Sequence, residues 1–194
     1  MRTQGPGESA LLVLDAAAVL TEEGVAYAVI GAMAASVHGV VRASVDADAV
    51  LAANAAELRR LEKKFAAAAF RTQLREGGPE DPVPAVLALG DSHGNRVDLL
   101  AALRGLDPEA FSRAITVPFQ GESLRVIGRE DFIAMKVFAG GPTDMTDAQS
   151  AIHLAGEALD LPQLRRLTQR YGRSTRERLE EMLRQMTGGS RGTP

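Results

Sequence analysis

The chain has 194 residues, of which 45% are hydrophobic and 24% charged, and its formal net charge is −3. This length favours one compact domain, or one with a small appendage, and the composition excludes disordered, collagen-like and coiled-coil proteins. The chain contains no cysteine, which excludes disulfides, thiolate zinc sites and cysteine nucleophiles. Any catalytic group must therefore present oxygen or nitrogen.

No segment of the sequence is suited to crossing a membrane. The longest stretch without Asp, Glu, Lys or Arg runs from residue 24 to 41, and glycines, Tyr27 and His38 interrupt it. Residues 10–20 are apolar but contain Asp15, so they do not have the pattern of a signal peptide. We therefore expect a cytoplasmic protein that does not contact membranes.

Two short strands are predicted near the start of the chain. Residues 25–30 are apolar and indicate a buried strand, which runs at Gly31 directly into a helix. Residues 45–51 alternate with a period of two, so Asp46 and Asp48 share one face of the second strand. Because aspartate is depleted in strand interiors, two of them side by side on one strand face need a reason.

The following segments predict a helix, a loop and two hairpins. The helix is opened by a capping box of Asn54 and Glu57. Residues 71–84 are rich in Gly, Pro and charge, and we predict a loop there. Two pairs of apolar runs around short polar turns predict antiparallel hairpins over residues 85–100 and 115–127.

Beyond residue 128 the pattern changes to helices. Helical signals cover residues 130–139, 144–158, 161–171 and 174–186. We therefore expect an α/β (α+β) fold with a small mixed β-sheet core, on which helices pack, followed by a helical C-terminal region. The expected boundaries are 1–128 for the core, 129–187 for the helical region and 188–194 for a disordered tail.

The aspartates suggest a cation site. Residues i and i+2 of a strand lie about 6.6 Å apart, so Asp46 and Asp48 can both approach one or two cations. Asp98, on a separate predicted strand, could supply a third ligand, and oxygen ligands favour Mg²⁺ or Mn²⁺ over zinc. The alternative is a solvated strand face on which the aspartates simply meet water.

Four further positions, and the C-terminal helices, could contact phosphate. A glycine at a strand end that opens a helix lets backbone N–H groups approach phosphate oxygens, so Gly31 and Ala32 are candidates. Arg42 lies near the aspartate strands, as does Arg96, and both could steer phosphates or simply balance the charge of the carboxylates. The C-terminal helices are also candidates, because residues 161–194 hold 8 Arg and 3 Glu. They could track a polynucleotide backbone or be solvated helix faces.

Lys136 shares the apolar stripe of its predicted helix with Phe132 and Ile133. Its ammonium group either snorkels to water or meets an anion, such as a phosphate or Asp144. Asp144 and Asp147 also suit the first turn of a helix, where the helix dipole favours acids, and we expect this role for Asp147.

Several motifs follow one another along the chain: Ile30-Gly31-Ala32, Asp46-x-Asp48, Arg96-Val97-Asp98-Leu99-Leu100, residues 127–136 and Asp144-x-x-Asp147. The first three resemble the DNA polymerase beta-like nucleotidyltransferase superfamily. The last two resemble its AbiEii-type toxin and minimal nucleotidyltransferase branch. The resemblance covers residues 25–154.

The resemblance implies metal-dependent transfer of a nucleotidyl group from an NTP to an acceptor hydroxyl, for example of tRNA or a protein. It implies Asp46, Asp48 and Asp98 as catalytic ligands of Mg²⁺ or Mn²⁺. The implied substrate-binding residues are Gly31, Ala32, Arg42, Lys136 and Asp144. The resemblance further implies a toxin of a toxin–antitoxin or phage-defence pair, with a cognate antitoxin as partner.

Two alternatives stay open. The first is an antibiotic-modifying nucleotidyltransferase. The second is a catalytically degenerate nucleotide-binding or interaction module, because three positions depart from the family pattern. Ala32 stands where the family usually has Gly or Ser, and Gly141 and Thr143 stand where it often has basic residues.

Overall fold

The computed structural model describes residues 1–41, 46–78 and 80–188, with side chains as far as residue 186. The strands in this part of the chain are Tyr27–Ile30 (β1), Asp46–Leu51 (β2), Arg71–Glu76 (β3), Ala85–Gly90 (β4), Arg96–Ala101 (β5), Ile115–Phe119 (β6) and Glu122–Val126 (β7). The α-helices are Ser9–Glu22 (α1), Gly31–Val37 (α2), Ala55–Ala67 (α3), Ala110–Arg113 (α4), Arg129–Ala139 (α5), Pro142–Ala155 (α6), Leu161–Arg170 (α7) and Arg173–Gly188 (α8).

The strands form one mixed sheet with the order β3-β4-β5-β2-β1-β7-β6. β2 runs parallel to β5, and β1 runs parallel to β7, whereas the other neighbours are antiparallel. Both predicted hairpins are present, as β4–β5 and β6–β7. The expected α/β fold, with a mixed sheet and helices packed on it, is therefore confirmed.

At β5, one face of the sheet is buried and the other is open. Val97, Leu99 and Ala101 are fully buried, and α1 packs over them and over β2. Arg96 and Asp98 alternate with these residues and are only partly buried. This period of two places the polar residues of β2 and β5 on the open face, opposite the hydrophobic core.

The loop predicted for residues 71–84 is wrong in its first half, because β3 occupies Arg71–Glu76. In the described part of the chain, β3 is an edge strand and pairs with β4 alone. Only Thr72 and Leu74 are partly buried, and the remaining side chains are exposed. Charged residues are common on edge strands because they discourage pairing with other chains, so this strand has the composition of a loop.

The C-terminal helices follow the prediction with shifted ends. α6 begins at Pro142, because proline suits the first turn of a helix, and a short 3-10 turn over Gly156–Ala158 follows it. α5 packs against both α6 and α7. From residue 189 onward, the predicted tail lies outside the described residues. Within the described ranges, no helix is long and apolar enough to span a membrane.

Candidate active site

The three aspartates singled out by the sequence lie on one face of the sheet. In the parallel pair of β2 and β5, Asp48 is the register partner of Asp98, and Asp46 is the partner of Arg96. Because neighbouring strands lie about 4.8 Å apart, Asp48 and Asp98 stand side by side, with Asp46 diagonal to Asp98. The fold thus brings together carboxylates that lie about fifty residues apart in the chain.

Arg96 neutralises the third carboxylate. Its Nε donates to Asp98 Oδ1 at 2.9 Å, and its Nη2 donates to Oδ2, also at 2.9 Å. The hydrogen bonds and charge of Asp98 raise the pKa of Arg96, with smaller contributions from the charges of Asp46 and Asp48. Arg75 on the edge strand adds a longer ion pair, with its Nη2 at 3.7 Å from Asp98 Oδ2.

The chemistry of these side chains fits a divalent cation. Three carboxylates on neighbouring strands supply the hard oxygen ligands that Mg²⁺ and Mn²⁺ prefer. Within the described part of the chain, however, no three His, Cys, Asp or Glu side chains are arranged to hold one metal ion. The fork of Arg96 takes up both oxygens of Asp98. Arg96 therefore competes with a shared cation for the oxygens of Asp98.

Gly31 allows the start of α2 to lie directly against Asp48. Its φ is +64°, a backbone conformation that residues other than glycine rarely adopt. A Cβ at this position would contact Asp48 Oδ2 and would lie 3.3 Å from Asp48 Cγ. The next residue, Ala32, is buried, and no side chain of the described residues caps the N-terminus of α2. The carboxylate and the backbone of the strand-to-helix turn therefore share one site.

Lys136 meets anions rather than water. Its Nζ lies 2.7 Å from Asp144 Oδ1 and 2.9 Å from Asp147 Oδ2, and the residue is buried. The prediction that Asp147 serves as a first-turn acid is wrong. Since α6 begins at Pro142, Asp147 lies in the second turn, where it is buried against Lys136.

A cavity of about 400 Å³ lies between the open face of the sheet and α5. Ile30 and Leu100 contribute from the sheet, and Met135, Lys136 and Asp144 contribute from the helices. Gly31 also lines it, so the cavity reaches the turn that contacts Asp48. Its walls are mostly apolar with one charged pair, which is the usual character of a small-molecule site.

The family described as a nucleotidyltransferase of unknown function (DUF6036) matches residues 9–187. The chain belongs to this nucleotidyltransferase family. The match does not confirm the AbiEii-type branch, which the residues after 127 resemble. No curated protein matches the sequence.

Solved structures agree with a nucleotidyltransferase fold. An antigenic nucleotidyltransferase-like protein from Paracoccidioides brasiliensis has a TM-score of 0.60 and 15% identity, and the match covers 94% of this chain and 90% of that one. The antibiotic-resistance factor ANT(2'')-Ia in solution has a TM-score of 0.55 and 17% identity, with 92% and 96% covered. Its crystal structure with adenylyl-2''-tobramycin has a TM-score of 0.53 and 17% identity, with 83% and 95% covered. At these identities the likeness establishes the fold alone.

Arg42 lies outside the described residues, so its position relative to the aspartates is not described. The exposed polar side chains of β3, which include Arg71 and Arg75, were missed because residues 71–84 were predicted as a loop. The signal that indicates them is the alternation Arg71, Gln73, Arg75, which has the period of a strand.

Proposed function

We propose that the protein transfers a nucleotidyl group from an NTP to an acceptor hydroxyl in a metal-dependent reaction. The observation that carries the proposal is the register of β2 and β5, which aligns Asp48 with Asp98 and leaves Asp46 on the same open face. A divalent cation bound to these carboxylates would neutralise charge on the triphosphate. Asp46, Asp48 and Asp98 are the proposed ligands of this Mg²⁺ or Mn²⁺.

The start of α2 is the proposed site of the triphosphate. The backbone N–H groups of Gly31 and Ala32 would donate to phosphate oxygens, because Gly31 leaves no side chain between them and Asp48. The adjoining cavity has the size and apolar lining to hold the nucleoside. Lys136 and Asp144 lie in its wall and would bind the nucleotide there. Arg42 is a further proposed phosphate contact.

Asp98 is the proposed base, because β5 lies on the far side of β2 from Gly31 and therefore faces the acceptor. In the reaction, the acceptor oxygen attacks the α-phosphorus in line and forms a new P–O bond. The bond between the α-phosphorus and the bridging oxygen breaks, and pyrophosphate leaves. Asp98 takes the hydroxyl proton once Arg96 has released one of its oxygens.

Transfer of label from α-labelled NTPs in the presence of Mg²⁺ tests the proposal. The acceptors are tRNA, protein and small hydroxylated molecules, including an aminoglycoside. Asp46→Asn should lower transfer by about a hundredfold or more, because it removes a group that stabilises transition-state charge. Glu157→Gln is the control, since Glu157 is exposed on the turn after α6. Equal transfer by the two variants would refute the role of Asp46.

For the biological role, we propose a toxin of a toxin–antitoxin or phage-defence pair, with a cognate antitoxin as partner. Induction of the gene with and without its neighbour should show growth arrest that the neighbour relieves. Transfer to an aminoglycoside alone, with no growth arrest, would instead indicate an antibiotic-modifying enzyme. Calorimetry that detects no NTP binding with or without Mg²⁺ would indicate a degenerate interaction module.

A further inference from the structure

The last turn of α5 is capped by a side chain from α8. Arg178 Nη1 donates to the carbonyl oxygens of Val137 and Phe138, the latter at 3.3 Å. Both carbonyls lie in the last four residues of α5, where a helix leaves carbonyl oxygens without partners inside the helix. Arginine side chains near a helix C-terminus can satisfy such carbonyls. Here the arginine lies 40 residues beyond Phe138 in the chain, so the cap joins two helices.

The backbone that follows α5 leaves these two carbonyls to Arg178. Gly140 ends the helix with a φ of +69°, and its N–H donates to the carbonyl oxygen of Lys136 at 3.0 Å. Gly141 is extended, and Pro142, which opens α6, has no N–H to donate. In the described part of the chain, the two carbonyls are therefore satisfied by a side chain rather than by the backbone.

Gly140 and Arg178 fit each other closely. A Cβ at Gly140 would collide with Arg178 Nη1, so the glycine leaves the space that the guanidinium occupies. In the described part of the chain, Arg178 makes no ion pair with a carboxylate, whereas Arg165 on α7 pairs with Glu180 on α8 at 2.8 Å. The charge of Arg178 instead lies at the C-terminal end of α5, where the helix dipole favours a cation.

The capped turn forms one wall of the cavity beside the proposed triphosphate site. Residues 140–141, which we name the α5–α6 turn, separate Phe138 and Ala139 from Asp144, and all three of these residues line the cavity. Lys136 also lines it, and its Nζ crosses the turn to lie 2.7 Å from Asp144 Oδ1. A shift of the α5–α6 turn would therefore move the apolar wall and the charged pair together.

Phe138 connects the cap to the apolar wall. Its ring stacks on Tyr171, with the ring centroids 4.7 Å apart and the planes at 26°. Its carbonyl oxygen accepts from Arg178. Loss of the Arg178 bonds would leave Phe138 anchored through its ring and would free its backbone and the turn that follows.

We propose that Arg178 is a positioning residue for the nucleotide site, because it caps α5 and so holds the α5–α6 turn in the arrangement that binds the NTP. This inference rests on the proposed function, which assigns the cavity to the nucleoside. Leu179 and Met182 of α8 are buried in the hydrophobic core, so α8 stays packed when the guanidinium is removed. The effect on the cavity is therefore carried by the cap and not by release of the helix.

Hydrogen–deuterium exchange without nucleotide tests the cap. In Arg178→Met, the amides of residues 140–145 should exchange about tenfold faster than in the wild type, because hydrogen bonds from a charged group are lost. Arg165→Met is the matched control, since Arg165 also joins α8 to another helix, through Glu180, but does not contact the end of α5. The control should leave exchange of residues 140–145 at the wild-type rate.

Calorimetry with Mg²⁺ and each of the four NTPs tests the positioning role. Arg178→Met should bind the preferred NTP about tenfold more weakly, because only the fraction of molecules with the turn in place can bind it. In the transfer assay, the loss should appear in KM for the NTP with little change in kcat, since Arg178 contacts no reacting group. Arg178→Lys should recover most of the affinity, because its ammonium group keeps the charge and can still donate to a carbonyl oxygen.

A second variant serves if Arg178→Met does not fold. Gly140→Ala should displace the guanidinium from the other side and have the same effects, with Gly24→Ala, which has a similar φ of +67° and open space around its Cβ, as its control.

Wild-type exchange of residues 140–145 in both Arg178→Met and Gly140→Ala would overturn the cap. Faster exchange with unchanged NTP affinity would overturn the positioning role, as would an equal loss of affinity in Arg165→Met. A wild type that binds no NTP would refute the proposed function and the nucleotide role of Arg178 with it. Faster exchange in Arg178→Met, measured without nucleotide, would still support the cap in that case.

Discussion

Replacing Gly31 with alanine tests how closely the start of α2 approaches the carboxylate of Asp48. Gly24→Ala is the matched control, because Gly24 has a φ of +67° beside +64° for Gly31, yet no atom lies within 4 Å of its added Cβ. Both variants pay the strain of a left-handed alanine, about 1–2 kcal/mol. In Gly31→Ala, the Asp48 side chain must also turn away, which adds about 0.5–1.5 kcal/mol if it leaves its rotamer.

Urea unfolding of the two variants measures the difference in stability, and transfer of label from an NTP measures the effect on activity. We expect Gly31→Ala to be about 1 kcal/mol less stable than Gly24→Ala, from the displaced Asp48 side chain alone. We also expect it to lose about a hundredfold in transfer rate, because displacement of a reacting group by 1 Å has an effect of that size. Wild-type transfer by Gly31→Ala, with the stability of the control, would refute the close contact with Asp48.

Three other changes have defined outcomes. Lys136→Met should lower the free energy of unfolding by about 3–5 kcal/mol, since it removes the cation that pairs with the buried Asp147 carboxylate, and a loss below 1 kcal/mol in urea would contradict the pairing. Burial favours a higher pKa at Asp91, but hydrogen bonds from Asn95, Thr3 and His93 outweigh it and lower that pKa to about 2. The contribution of the Asp91 carboxylate to stability is therefore present above about pH 4 and disappears as the pH falls towards 2. In Asp91→Asn, the urea concentration at the unfolding midpoint should therefore fall less between about pH 4 and pH 2 than in the wild type. An equal fall in the two proteins would contradict this prediction. Arg96→Gln should tighten Mn²⁺ binding severalfold in an electron paramagnetic resonance titration, because it removes a positive charge that competes for Asp98, whereas weaker binding would argue against that competition.

The aspartate face could be predicted from the sequence because its signals are local. The alternation of residues 45–51 fixes which side chains of β2 share a face, and a short turn fixes the hairpin that carries Asp98. The parallel register of Asp48 with Asp98 is not local. It depends on how β5 inserts between β4 and β2, and only the motif order pointed to it.

Other parts of the site have sequence signals that suit more than one structure. Arg96 lies two residues from Asp98, and the same spacing suits either a phosphate contact or the fork that the structure contains. β3 lacks an apolar pattern because one of its faces is open and, among the described strands, only β4 lies beside it. The sequence of this strand, including its arginines, therefore resembles that of a loop. Asp147 was misassigned because the helix begins two residues earlier, at Pro142, than the acid pattern indicated.

The proposed reaction requires that Asp46, Asp48 and Asp98 bind a divalent cation together. Anomalous diffraction from crystals grown with Mn²⁺ and a non-hydrolysable NTP measures this directly. We expect a manganese peak bound by all three carboxylates, with the Arg96 guanidinium moved off Asp98. A peak elsewhere in the protein, with Arg96 still paired to Asp98, would contradict it.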